Sequence, residues 1–477
     1  MKINVIKDII LLPFIFIFLP SFVMFIGEKT FFAILALVLP IGYVIMIANE
    51  KLQLFSRIKY LYKKTCLKNF SFIYFWILIS GLLAVAFGYY SFPRFLYVAV
   101  LAFIFRGLLV FLYSALVVPK YISLKKVTKL FTIAYFLIFV WGFIEFIGVY
   151  FNIEIINSLV SLLSNVRTAD NSIILDDYSG IPRIRSVFFE PSAYAKFLIV
   201  SLPFVFDIAR CKYKILENNL INTILKKSLI PFALLSLILT QSPIYLIFCP
   251  IITAIYFYKE ILKLIKKYYL IIICTCVSLL VICNMFISTV DLSKTYLSRI
   301  FNVLEVLPKM SLDIFILVEP SLGTRVVNNI NQFKIFLEHP LMGVGFGNTG
   351  NFLIKFFMHS STTLTAEMQM KLLNAKSTLP MTTNAMYLLL YQTGIIGFSL
   401  YCYWMIKSIM MLKRVKVYFN GLEYSFVIAL QHLITAMFAL SIIYEQWFMD
   451  EYLFFLGGLA CSIMYIAQKR KETIKNK

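Results

Sequence analysis

The sequence predicts an all-α, polytopic integral membrane protein of about twelve transmembrane helices, with both termini in the cytoplasm. Three observations predict it: an apolar composition, repeated apolar runs of about 20 residues, and basic residues gathered in alternate loops. Of the 477 residues, 61% are hydrophobic and 14% charged, and the mean hydropathy is +0.86. A water-soluble chain usually carries about 25% charged and about 45–50% apolar residues, so this one lacks the polar surface to cover itself in water. In hydrocarbon every backbone N–H and C=O has to be paired within its own segment, which makes runs of this length helices. The short alternating strands of a membrane β-barrel are absent from the pattern.

The apolar runs place spans at 9–27, 31–48, 70–90, 95–118, 130–150, 192–209, 229–240, 243–258, 270–290, 384–406, 424–443 and 452–468. The seventh and eighth are short and are separated at Gln241-Ser242-Pro243, where a proline and polar residues interrupt a stretch too long for one span. The first run begins near Ile9 without a small-residue cleavage site and reads as a retained helix. Charge then tests the parity. Lys51 to Lys68, Lys120 to Lys129, Arg210 to Lys227, Lys259 to Lys267, Lys407 to Lys416 and Lys469 to Lys477 all fall on one side, while the short loops opposite hold only Lys29 and Arg94. An odd number of helices between any two basic loops would destroy that pattern. The net charge of +22 is therefore explained by the positive-inside rule and anionic headgroups, and nucleic acid is not an expected partner.

Residues 1–477 read as one transmembrane domain interrupted by two long outward loops, 151–191 and 291–383, the second lying between helices 9 and 10 and carrying amphipathic helix. Long loops in a compact protein tend to be functional, which puts the expected chemistry on the outer side. Cys66 and Cys211 fall in cytoplasmic loops and the other six cysteines inside helices, so no disulfide framework is expected. No CxxC pair or histidine spacing suits a metal, and neither metal nor cofactor is expected.

Five groups of residues carry candidate chemistry. In "GTRVVNNINQFKIFLEHP" Thr324 is an N-cap candidate. Val326, Ile330, Phe333 and Leu337 form an apolar stripe, Arg325, Asn328, Asn329 and Gln332 a polar side, and Pro340 a stop. That pattern suits a helix lying at the membrane–water boundary, with Arg325 in its first turn beside unpaired amides as an anion cradle, or simply as a solvated arginine. The following Gly343, Gly345 and Gly347 permit close backbone approach to a ligand, without the spacing of a nucleotide-binding loop. In "IPRIRSVFFEPSAYA", Arg183 and Arg185 are guanidinium forks near headgroup depth, suited to bidentate phosphate contact. Glu190 next to Pro191 is either a helix cap or a carboxylate able to accept a proton. Arg106 lies inside the fourth span and needs a polar cavity or a partner, for which Glu145 on the next helix is a candidate. Of the histidines, His432 reads as a packing residue within a span, while His339 lies in the outward loop.

Three segments resemble, in order and topology, the O-antigen polymerase and ligase superfamily. "RIRSVFFEPSAYA" is similar to its arginine-rich turn before an acidic-Pro helix start. "TRVVNNINQFKIFLEHPLMGVGFGN" is similar to its outward arginine helix with spaced glycines, and "TNAMYLLLYQTGIIGFSLY" to the helix after the loop. The resemblance implies a metal-independent membrane glycosyltransferase at the outer face of a bacterial cytoplasmic membrane. Its substrate would be an oligosaccharide on undecaprenyl pyrophosphate, and a chain-length regulator would be a candidate protein partner. Carried over by position, Arg183, Arg185 and Arg325 would converge on the pyrophosphate, with Arg106 and Asn384 as candidate cavity residues. The ligase branch opens its third segment with His-Asn, whereas Thr383 and Asn384 stand here, with Gly394 at the expected distance. Without that histidine the chain reads as a polymerase, and Glu190 and then His339 become the candidate bases, unless no dedicated base exists. An outer-face ligase and a lipid-linked-oligosaccharide flippase remain alternatives. The flippase would call for symmetry between halves and charges spread through many spans, and neither is visible.

Overall fold

The computed structural model describes residues 39–48, 52–118, 120–164, 184–186, 191–240, 242–258, 320–348, 384–443 and 451–475. The expected spans 9–27 and 270–290 lie outside these residues, as do Arg183, Glu190 and Thr383. Among the described residues every regular element is a helix. In chain order they are α1 (Leu39–Ala48), α2 (Leu52–Lys64), α3 (Leu67–Ala86), α4 (Phe92–Val117) and α5 (Leu124–Tyr150). Then follow α6 (Glu154–Ser164), α7 (Pro191–Arg210), α8 (Asn219–Leu239), α9 (Pro243–Tyr256), α10 (Pro320–Glu338), α11 (Ala385–Val415), α12 (Gly421–Ile443) and α13 (Glu451–Lys475). Seven of them, α3, α4, α5, α8, α11, α12 and α13, are long and apolar enough to cross a membrane. The chain has the build of a multi-pass membrane protein.

Several helices run past the apolar segments that announce them. α5 begins at Leu124 because Ser123 caps it, its hydroxyl accepting the Lys126 amide at 3.3 Å. α8 starts at Asn219, where the Asn218 side chain accepts the amides of Leu220 and Ile221. It is 21 residues long, not the short 229–240 span of the hydropathy pattern. Of the basic residues counted as loop, Lys226 and Lys227 belong to this helix, and the Lys226 ammonium turns back to donate to the Cys211 and Tyr213 carbonyls. Apolarity ends where charge begins, but the backbone ladder continues. The break between α8 and α9 falls at the expected place, with Pro243 in the first turn of α9.

The centre of the bundle is aromatic and closely packed. Phe70 of α3 stacks on Phe111 of α4 at 4.2 Å and meets Trp404 of α11 and Phe454 of α13. Glycine lets α13 lie directly on α4: a Cβ on Gly458 would sit 2.1 Å from the Phe111 carbonyl oxygen. One turn on, the Ser462 hydroxyl donates to the Ser114 and Ala115 carbonyls, 2.7 and 3.0 Å away. At one end of the bundle the basic segments meet. Arg470 bonds Glu423 at 2.7 Å and the Tyr418 carbonyl, and the Tyr60 hydroxyl donates to Glu472.

Candidate functional site

The site is built around a broken helix. The Asn384 side chain caps α11 by accepting the Met386 and Tyr387 amides, and its amide group donates to the Ile442 carbonyl at 2.9 Å. Asn384 is thus a buried helix cap tied to the end of α12. Ten residues further on, Gly394 adopts φ 67°, ψ −174°, and the helix is interrupted. A break inside a membrane-length helix leaves backbone groups that lipid cannot satisfy. The turn after α10 takes them up. Val344 and Gly345 donate their amides to the carbonyls of Tyr391 and Gln392 at 2.9 Å each, and Ile395 donates to the Pro340 carbonyl at 2.8 Å. The Trp76 indole donates to the Thr393 carbonyl at 2.8 Å. The glycines of this turn have positive φ and make a close approach, but to the protein itself. A Cβ on Gly343 would meet Gln392 backbone at 2.4 Å, and one on Gly347 would meet Val98. They let one turn dock onto a broken helix.

α10 exposes apolar side chains and buries carboxamides. Ile330, Phe333 and Leu337 are 39%, 40% and 60% exposed, with Lys334 and Glu338 exposed beside them, while Asn331 and Gln332 are 2% and 0% exposed next to a buried Ile335. Exposed apolar side chains bordered by charge suit a helix lying at the boundary of lipid and water. The helix starts at Pro320, so Thr324 lies within it and is not its N-cap. Arg325 accordingly belongs to the second turn, and the unpaired amides of the helix start lie several residues before it. Proline at the start explains the shift, since it suits a first turn and lacks the amide that would be left unbonded there. On the inward side, both polar atoms of the Gln332 carboxamide, Asn331 Nδ2 and Asn329 Oδ1 are buried with no hydrogen-bond partner among the described residues. Each such group costs about 1–3 kcal/mol if left unmet.

The second cluster lies where the chain enters α7. Residues 184–186 are pinned against two helices, α8 and α5: the Ile184 amide donates to the Leu239 carbonyl at 3.1 Å, and the Ser186 hydroxyl to the Ile138 carbonyl at 2.8 Å. Glu145 of α5 accepts the backbone amides of Arg185 and Ser186 at 3.1 and 2.6 Å, and pairs with Arg185 Nε at 3.7 Å. The structure thus gives to Arg185 the carboxylate that the sequence offered to Arg106, because the turn before α7 folds back over α5. Arg185 keeps about a fifth of its side chain exposed, and among the described residues its guanidinium pairs with Glu145 through Nε. Arg106 sits half-buried in a π-helical stretch of α4, Ile104–Leu108.

Of the remaining candidates, His339 follows the last turn of α10, its ring tilted against Tyr89 at 4.8 Å. It lines a cavity of about 260 Å³ with Ser80, Tyr89, Glu338 and Met342. Pro191 opens α7, as the sequence suggested for the residue after Glu190. Arg325 is placed by its helix, and Arg183 and Glu190 lie outside the described residues. The sequence reading passed over Asp207, whose signal was an acidic residue inside an apolar run. Its carboxylate accepts the Tyr256 hydroxyl at 2.6 Å and lies 2.7 Å from His432 Nδ1, joining α7, α9 and α12. His432 is thereby a tie between helices. Among the described residues no three His, Cys, Asp or Glu side chains gather as a metal would require.

No protein-family model and no curated protein matches the chain. Fold and site together define a multi-pass helical membrane protein with one broken span and one helix that turns carboxamides inward.

Proposed function

We propose that the protein polymerises undecaprenyl-diphosphate-linked oligosaccharide repeats into a surface polysaccharide at the outer face of the bacterial cytoplasmic membrane. The observation that carries this reading is α10: apolar side chains exposed on one side and carboxamides buried on the other, on the helix that bears Arg325. A substrate that is lipid at one end and sugar diphosphate at the other needs both surfaces side by side. The resemblance of three ordered segments to the polymerase branch supports the same assignment.

In this reading the chemistry is a transfer between two lipid-linked chains. An acceptor hydroxyl attacks the anomeric carbon of the donor, the bond from that carbon to the phosphate oxygen breaks, and its electron pair leaves with the diphosphate. Guanidinium groups held beside the leaving diphosphate stabilise its charge as it develops. Arg185 suits that task, since Glu145 fixes its backbone and Nε while about a fifth of its side chain stays exposed. Arg183 and Arg325 are assigned to the same anion, and the acceptor proton to Glu190 or His339. The flippase alternative draws on the broken helix, since transporters bind substrate at such breaks. Here the freed groups of α11 are occupied by the turn at 340–345 and by Trp76, which counts against it.

Deletion of the gene, followed by gel analysis of surface glycan, tests the proposal. Loss of the long-chain ladder with one repeat unit retained supports a polymerase. Loss of all surface glycan points instead to a flippase or a ligase.

A further inference from the structure

We infer that the inward face of α10 is the sugar subsite, with the carboxamides of Asn329, Asn331 and Gln332 binding hydroxyl groups of the lipid-linked oligosaccharide. This deepens the polymerase reading and rests on it. Gln332 is fully buried, and among the described residues neither end of its carboxamide has a partner; Asn331 Nδ2 and the Oδ1 atom of half-buried Asn329 are buried without one as well. Native proteins rarely leave such groups unmet, so the face is built for a polar guest. The groups themselves define the guest. A carboxamide offers two donors and an acceptor without net charge, which matches a hydroxyl that both donates and accepts. A phosphate would call for guanidinium or ammonium groups instead, and a polyprenyl chain for no polar atoms at all.

The placement agrees with the order of parts in the substrate. Gln332 lies seven residues after Arg325, two turns along the same side of α10, a rise of about 10 Å. An anion held near Arg325 would put the sugars it carries alongside Asn329, Asn331 and Gln332. The exposed Phe333 and Leu337 on the opposite side leave the lipid chain an apolar surface.

The test uses the purified full-length protein in lipid nanodiscs and two probes. One is undecaprenyl diphosphate; the other is the undecaprenyl-diphosphate-linked oligosaccharide extracted from cells lacking the gene. Thermal unfolding is followed against probe concentration for the wild type and for Gln332→Leu and Asn331→Leu, which keep bulk and remove polarity. The wild type should be stabilised by undecaprenyl diphosphate and half-saturate at lower concentration with the oligosaccharide attached. The variants should respond to undecaprenyl diphosphate as the wild type does, but lose the advantage of the sugar by about tenfold or more. Unchanged half-saturation by the oligosaccharide in both variants would mean that the face holds water only, and overturns the inference. A wild type that responds equally to the two probes overturns the inference alone. A wild type that responds to neither overturns the polymerase reading with it. Gln332→Met carries the same comparison if Gln332→Leu does not insert.

Discussion

Gly343 and Gly394 lie backbone to backbone, fifty-one positions apart in the chain, each occupying the space that a side chain on the other segment would need. A Cβ on Gly394 would fall 2.1 Å from the Leu341 carbonyl oxygen, and one on Gly343 would fall 2.6 Å from the Gln392 carbonyl oxygen. Both have φ near +65°, a region that L side chains rarely adopt.

Replacement of either glycine by alanine should therefore be severe. The obstructing atoms are backbone and cannot swing aside, and the backbone bonds that repair α11 are lost when the turn lifts away. We expect Gly394→Ala and Gly343→Ala each to destabilise by about 3 kcal/mol or more, read as a fall in melting temperature of the purified protein. A variant melting with the wild type would contradict the docking.

Glu145 holds Arg185 and the turn before α7 by one ion pair and two backbone amides. Glu145→Leu strands a guanidinium and two amides, and should cost about 3–5 kcal/mol. Glu145→Gln keeps an acceptor oxygen for the amides and should cost less. The two variants, compared by melting and by polysaccharide length, separate the charge of Glu145 from its role as an acceptor.

In the proposed polymerase, Arg325→Ala should abolish long-chain product while the protein remains inserted at normal level. Arg325→Lys should restore only part of it, since an ammonium keeps the charge but not the paired donors of a guanidinium. An ordinary ladder from the alanine variant, run beside an immunoblot for the protein, would remove Arg325 from the mechanism.

Asn384 separates stability from chemistry in a different way. As a cap bonded to Met386, Tyr387 and Ile442, it should cost about 1–2 kcal/mol when replaced by alanine. Asn384→Asp keeps the cap and loses the donor to Ile442, so it should fall between the two. If product length follows melting temperature through this series, Asn384 acts by holding α11. If Asn384→Asp melts normally and makes no long product, it acts on substrate.

Much of the architecture was legible in the chain. Long apolar runs identify membrane-length helices because a helix satisfies its own backbone and needs no distant partner. The amphipathic pattern of 326–337 also foretold α10, since a period of 3.6 residues is local geometry. The ends were less legible: α5 and α8 begin among lysines, which hydropathy assigns to loops although capping residues carry the helix through them.

What the sequence determined by itself was the medium and the secondary structure: a chain this apolar has to be a set of helices in lipid, and each run specifies its own ladder of bonds. Tertiary structure alone decided the pairings. It gave Glu145 to Arg185, Asp207 to His432 and Tyr256, and the glycine turn to the broken middle of α11. Among the described residues it also left the Gln332 carboxamide, Asn331 Nδ2 and Asn329 Oδ1 buried without a partner. Those outcomes depend on which distant segments come within about 3 Å of one another, and hydropathy and periodicity, being sums over neighbours in the chain, hold no record of that approach.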